Sequence, residues 1–437
     1  MPPIVTSYDL TMPPIHKIVT PNKVPLHVLS DDLVSGTVRL SLVFDAGTTL
    51  QKVPFSASSM LGMLSQGSKN MDAEQIAEYI DFHGSSFEIN IDRDFAVVTI
   101  CGLSKFFAES INILGEMLLS PVFPEEKLEI LKTNRKQRLA VDRSKAGYIS
   151  RECFARTLFG ENHPYGYSSP IDMYDSLCRE DILDFYNSHY KADKCFALMG
   201  GSVTPELMAL AIDLLSKLPV LGEAEKLLCK PSVVPAPISS PFAYIPYEGV
   251  QSAVRVGRVL FTRSHPDFIP MQVLSTVLGG YFGSRLIANL RVKNGYTYGI
   301  FATMVNLQHT GYLAIATEVG AQFTEAAIEE IFNEMARLRD ELVTEEELDM
   351  VKNVMIGELM RIMDGSFGVI DIALESIQND EQGDYVRRFC EQVAAVTPER
   401  LQQLARYYLR AEDMTVTVVG PEEIAIPAAL GGQPQAL

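Results

Sequence analysis

The sequence predicts an α+β protein of two homologous domains, each an antiparallel-rich sheet with helices packed on one face. Three observations carry this. Strand-like and helix-like patterns arrive in pairs, without the regular βαβ rhythm of a parallel sheet. A proline-rich stretch, Leu218 to Gly249, divides the 437 residues near their middle. Landmarks on either side of that stretch recur at one offset, as a duplicated domain requires.

Taken in order, Val38-Arg-Leu-Ser-Leu-Val-Phe44 alternates at period two, the signature of a half-buried strand. Ala73–Phe82 sets Ile76, Tyr79 and Ile80 at helical spacing and stops at His83-Gly84. Phe87–Ile91 and Phe95–Ile100 read as a hairpin, and Phe106–Leu119 and Glu125–Val141 as two helices. Pro124-Glu-Glu-Lys-Leu-Glu129 is echoed by Thr344-Glu-Glu-Glu-Leu-Asp349. Tyr190 followed by Cys195-Phe-Ala-Leu-Met-Gly200 is echoed by Tyr408 followed by Thr415-Val-Thr-Val-Val-Gly420. Both pairs lie 220 residues apart (344 − 124 and 420 − 200). Between the copies, Pro219, Pro231, Pro235, Pro237, Pro241 and Pro246 favour an extended linker over a packed element. The expected division is therefore 1–218, a linker at 219–249, and 250–437.

Composition narrows the function. With 47% hydrophobic and 21% charged residues the chain can bury a sizeable core. Its 37 basic and 55 acidic residues give a formal charge of −18, which repels phosphate backbones and argues against nucleic acid. No run is long and apolar enough for a membrane span. The start has neither a basic nor an apolar signal region, so a cytoplasmic location is expected, with the periplasm open if a signal was trimmed. Six scattered cysteines, with no C-x-x-C pair, suggest neither a disulfide framework nor a thiolate metal site.

Common catalytic signatures are missing. There is no G-x-S-x-G, H-E-x-x-H, H-x-x-E-H or P-loop, and no two of the seven histidines fall three or four residues apart. The glycine-rich run Leu278–Ser284 follows a helical pattern, not a strand, which disfavours phosphate binding. His163-Pro-Tyr-Gly166 reads as a turn, and Glu74 with Glu78 as a solvated face. One segment stands apart, Gly283 to Gly299. Leu286, Ile287 and Leu290 form an apolar stripe, Asn294-Gly295 stops the helix, and Tyr296 and Tyr298 follow on one face of a strand. Arg291 falls in the last helical turn, where a cation is favoured in its own right.

On these residues the sequence resembles the pitrilysin/insulinase (inverzincin) peptidases, above all the short bacterial members and the mitochondrial processing peptidase. The likeness runs from about Val19 to Gly420: Asp45-Ala-Gly47, the helix Glu74–Phe82, Phe123-Pro-Glu-Glu126, His163-Pro-Tyr-Gly166 and the Arg291/Tyr298 segment appear in family order. The resemblance implies duplicated domains forming half of a clam-like chamber. It also exposes a departure. The family's H-x-x-E-H precedes a stretch matched here by Met63-Leu-Ser-Gln-Gly-Ser68, so Ser58, Leu61 and Gly62 stand where the first His, the Glu and the second His would be. The window for the third ligand, Ile130 to Val141, holds no acidic residue. These side chains can supply neither imidazole nor general base, so no metal or other cofactor is expected in this chain.

The resemblance carries the family's substrate-binding and catalytic Arg and Tyr onto Arg291 and Tyr298. A phenol that stays a neutral donor can hydrogen-bond a developing oxyanion, and a guanidinium fork can hold backbone carbonyls. Some family enzymes divide the labour, one chain keeping zinc and the other the Arg/Tyr pair. The implied role is thus a subunit of a heterodimer whose zinc-binding paralogous partner supplies the metal, acting on unfolded peptides; in isolation a homodimer is the alternative. Glu88, on the strand that pairs substrate in the family, replaces the usual Asn. A scaffold or peptide-binding role without catalysis is the rival reading, and an independent serine or cysteine hydrolase a weaker third.

Overall fold

The computed structural model describes residues 10–30, 36–222, 237, 239–379, 385–425 and 427–430. The first half contributes strands β1 (Ile15–Val19), β2 (Pro25–Ser30), β3 (Thr37–Phe44), β4 (Ser86–Ile91), β5 (Ala96–Leu103) and β6 (Cys195–Gly201). They form one sheet in the order β1-β2-β6-β3-β5-β4, antiparallel except where β2 lies parallel to β6. The second half builds β7 (Phe242–Pro246), β8 (Gln251–Leu260), β9 (Thr297–Asn306), β10 (Gly311–Gly320) and β11 (Thr415–Gly420) in the order β7-β11-β8-β10-β9, with only β7 and β11 parallel. The expected hairpin is β4–β5, closed by Asp92–Phe95 with Ile91 opposite Ala96.

Besides the single turn Met173–Ser176, the helices of the first half are α1 (Ser56–Met63), α2 (Ala73–Phe82), α3 (Phe107–Leu119), α4 (Glu125–Asp142), α5 (Ala146–Phe159), α6 (Arg179–His189) and α7 (Pro205–Ser216). Those of the second are α8 (Phe268–Ser275), α9 (Thr324–Asp340), α10 (Glu345–Met363), α11 (Ser366–Gln378), α12 (Tyr385–Ala395) and α13 (Pro398–Tyr408). Helix α2 shows how local the signals are: Asp72 caps it through the Gln75 N–H, Gln75 returns the bond to the Asp72 N–H, and Gly84 at φ +62 leaves it. The 220-residue spacing extends beyond the motifs that revealed it. Glu125 and Glu345 open α4 and α10, Ala146 and Ser366 open α5 and α11, and Cys195 and Thr415 open β6 and β11.

Each sheet packs its own helices on one face. Leu40, Leu42, Ala197 and Met199 meet Phe107, Ile111 and Leu114 in the first half. Val254, Val256, Val416 and Val418 meet Ile328, Ile331 and Met335 in the second. The opposite faces take a helix from the other half. Leu29 and Leu198 cluster with Val369, Ile370 and Ala373 of α11. Phe154, Leu158 and Phe159 of α5 cluster with Ala314 of β10, and a Cβ on Gly257 would meet Phe154 Cζ at 3.0 Å. On the first sheet Gly200 leaves room for Ile370 in the same way, a Cβ there lying 2.6 Å from Ile370 Cδ1. This exchange is why β3 is not half-buried as its alternation predicts: Ser41 and Val43 are buried too, and Arg39 on that second face pairs with Asp371 of α11 at 2.7 Å.

Two expectations need correction. The linker is not extended coil up to residue 249, because Phe242–Pro246 is the strand β7. Proline's fixed φ suits a strand as well as a linker, and at a sheet edge the N–H that Pro246 lacks is not required. Pro231, Pro235 and Cys229 lie outside the described residues. Tyr296 does not share a strand face with Tyr298. It precedes β9, half-buried, and stacks on Phe323 with ring centroids 4.9 Å apart. The five described cysteines are free thiols, and no helix among the described residues is long and apolar enough to cross a membrane.

Candidate functional site

Helix α1 starts abruptly. Phe55 sits in the left-handed region at φ 66 and stacks on Tyr174, ring centroids 3.8 Å apart. The helix is then sunk into the core through Ala57, Met60, Leu61 and Met63. Ser58 is half-buried and its hydroxyl bonds back to the Phe55 carbonyl at 3.3 Å. Leu61 is 1% exposed and packs as a core residue. Gly62 faces α4 so closely that a Cβ there would lie 2.5 Å from Arg135 Nη2 and 3.1 Å from Leu131 Cδ1. A guanidinium therefore occupies the space that a side chain at position 62 would enter. Burial works against the charge of Arg135, with Arg138 adding to the effect, while the Tyr174 phenol beside it supports the cation. A cation here is the opposite of what a metal seat requires, since a divalent ion needs anionic or neutral donors turned toward it. Among the described residues no three His, Cys, Asp or Glu side chains come together in a way that could hold a metal ion. The residues present do not fit the zinc of the resemblance.

Arg291 and Tyr298 lie at the other expected site. The helix Ile287–Lys293 is of π type, closed by Asn294 N–H to the Asn289 carbonyl at 3.0 Å. Its end is anchored by Asn289, which donates to Glu330 and Glu334 and accepts from Asn294. Gly295 at φ +66 turns the chain into β9. Arg291 is exposed, with its guanidinium 5.2 Å from the Phe282 ring centroid. Tyr298 is 89% exposed, but the backbone around it is pinned. The Thr297 hydroxyl lies 2.7 Å from the Glu318 carbonyl and accepts from the Thr317 hydroxyl and the Gly299 N–H. A β-bulge between Thr317 and Val319 accommodates this knot. The result is a free phenol on a fixed strand. Tyr298 lines a shallow pocket of about 310 Å³ with Phe301, Ser150, Arg255 and Glu318, and Arg291 is not part of its wall.

Edge strands border both halves. β4 and β9 each end their sheet, and Glu88 lies exposed on β4 beside Arg39, Asn90 and Asp371. A charge on an edge discourages further strand pairing.

A larger pocket, about 530 Å³, opens beside Ser58. Its wall includes Lys52, Arg93, Arg143, Tyr148, Glu152 and Tyr167. Arg143 grips Glu152 with two bonds of 3.0 Å, from Nε and Nη2, and donates from the same Nη2 to Ser168 and the Ser169 carbonyl. Below it, Asp94 accepts from the Tyr165 hydroxyl at 2.7 Å and the Gln308 N–H at 2.9 Å. Asp94, through Gln308, and Tyr165, packed with Ala314, thus tie the turn His163–Gly166 to the second half, and burial beside Asp94 pushes the Tyr165 phenol well up. Sequence reading found neither Arg135 nor this pocket. A signal for the first was present: the window Ile130–Val141 is not merely free of acids but carries Lys132, Arg135, Lys136 and Arg138. For the pocket there was none, because its residues come from distant segments.

Comparison with known proteins places these observations. Residues 30–162 match the family described as insulinase (peptidase family M16), and residues 176–355 the family described as the peptidase M16 inactive domain. A Bacillus subtilis relative named "Uncharacterized zinc protease YmxG" is 21% identical over 363 residues, covering 82% of this chain and 86% of the relative. The Arabidopsis thaliana protein named "Probable mitochondrial-processing peptidase subunit beta" is 20% identical over 450 residues, covering 96% and 81%. A crystal structure of a peptidase M16 inactive domain from Pseudomonas fluorescens superposes with a TM-score of 0.84 at 20% identity, over 94% of this chain and 98% of that one.

Proposed function

This chain belongs to the insulinase (M16) peptidase family, and from that membership we propose that it is a metal-free subunit of a heteromeric zinc peptidase. The carrying observation is the guanidinium of Arg135 against Gly62, in a helix whose other two matched positions are a serine and a buried leucine. Support for a divided enzyme comes from the likeness to a protein named as a processing-peptidase subunit. In this reading a paralogous chain supplies the metal and general base. Tyr298 would donate its phenolic proton in a hydrogen bond to the oxyanion forming on the scissile carbonyl, and Arg291 would hold backbone carbonyls of an extended, unfolded peptide. The first domain, 1–218, and a second that begins with β7 at Phe242 would together wall one half of a closed chamber.

Arg291 lies against Phe282 rather than in the Tyr298 pocket. That geometry favours, as second reading, a scaffold or peptide-binding subunit in which the pair no longer acts. The test is to mix the chain with a paralogue that carries the intact zinc helix and to assay peptide cleavage. Activity in the mixture that neither chain shows alone supports the subunit reading. Tyr298→Phe should then lower turnover by about 10²–10³ with assembly unchanged; unaltered turnover leaves the scaffold.

A further inference from the structure

We propose that the pocket beside Ser58 binds a carboxylate of a peptide, held by Arg93 and Lys52. This rests on the reading that the chain handles peptides, and it names what part of a peptide this half of the chamber recognises.

The pocket reverses the charge of its surroundings. In a chain of formal charge −18, its charged lining is three cations, Lys52, Arg93 and Arg143, against one acid, Glu152. Arg143 already neutralises Glu152 through a two-bonded pair. Two positive charges are left over. Among the described residues neither Arg93 nor Lys52 forms an ion pair; Arg93 donates only to the Tyr167 carbonyl at 3.2 Å. Its backbone is fixed, because the Arg93 carbonyl accepts from the Thr49 N–H at 3.0 Å and the Thr49 hydroxyl at 2.7 Å. Burial is the main pressure on the Arg93 cation, eased first by the Tyr312 phenol and then by Glu152 and Asp94. A partly desolvated guanidinium with open donors facing a cavity is completed by a planar anion, and a carboxylate matches its fork with two parallel bonds.

Size and walls select a peptide. A space of about 530 Å³ exceeds what a small inorganic ion fills and suits one or two residues. Phe55, Tyr148 and Tyr167 give it apolar surface that can cover side-chain carbons. The pocket also borders α1 at Ser58, so a chain bound there runs past the position where the resemblance would put a metal.

The experiment uses the full chain and fluorescein-labelled decapeptides of Ala, Ser and Gly, read by fluorescence anisotropy. One carries a central Glu and an amidated C-terminus; a second has Gln there and a free C-terminal carboxylate; a third has Gln and an amidated end. Binding of the first or second at least about tenfold tighter than the third is expected, and which of the two wins tells a side-chain from a terminal carboxylate. Arg93→Gln should abolish that preference. Lys52→Gln, at an exposed side chain, should weaken it and keeps the comparison available if the first variant does not fold. Equal affinity for all three peptides, no binding of any, or a preference untouched by both substitutions overturns the proposal. So does inorganic phosphate binding where no peptide does. Failure of the mixed-chain cleavage assay would instead remove the subunit reading and leave this comparison standing.

Discussion

At the scale of residues, the decisive position is Gly62. Restoring a histidine there would drive its Cβ into Arg135 Nη2, now 2.5 Å away from that point. Gly62→His should lower stability by about 1–3 kcal/mol in denaturant unfolding, the usual cost of overpacking a close helix contact. Reinstating all three motif residues with Ser58→His, Leu61→Glu and Gly62→His should still give no stoichiometric zinc by metal analysis while Arg135 remains. A second residue-scale effect concerns His189, whose pKa is lowered to about 4, chiefly by burial and then by Lys194. Its folded pKa lies below the unfolded value near 6.5, so the unfolded state binds the proton more readily. The stability this gives is present above about pH 6.5 and is lost as pH falls toward 4. His189→Gln should flatten the melting temperature across that window relative to the parent protein.

At the scale of elements, the exchanged helices join the halves. Ile370 of α11 is 1% exposed against Leu29 and Leu198 of the first sheet. Ile370→Ala should cost about 2–5 kcal/mol in chemical unfolding. The bond from the Tyr165 hydroxyl to Asp94 is a separate case: Tyr165→Phe removes the donor to the buried Asp94 Oδ1, at a cost of about 1–3 kcal/mol. Single elements were the most legible part of the sequence. Ala73–Phe82 was read with its observed boundaries because the spacing of Ile76, Tyr79 and Ile80 and the stop at His83-Gly84 are local signals; the Asp72 cap is a further one that the reading did not use. The strand Phe242–Pro246 was missed because its pairing with Thr415–Gly420 spans most of a domain, and its prolines argue for coil when read alone. Tyr296 was assigned to a strand face because alternation says nothing of a ring drawn out of register by Phe323.

At the scale of the whole molecule, the duplication was legible and its consequence was not. Two echoes at one offset imply repeated domains; nothing in them says that the matched helices α5 and α11 are traded across the pair. The site divides in the same way. Absent histidines and acids are visible in a sequence, whereas the guanidinium behind Gly62 and the cationic pocket need the packing of α4 on α1 and the meeting of helices and loops that lie far apart in the chain. Both belong to the reading proposed above, in which the wall matched to the family's zinc helix is cationic. The measurement that tests this most directly is zinc titration of the isolated chain by calorimetry, with the metal content of the protein determined after dialysis. The account requires no stoichiometric binding. One equivalent of zinc bound tightly, and released by chelator together with peptidase activity of the chain alone, would contradict it.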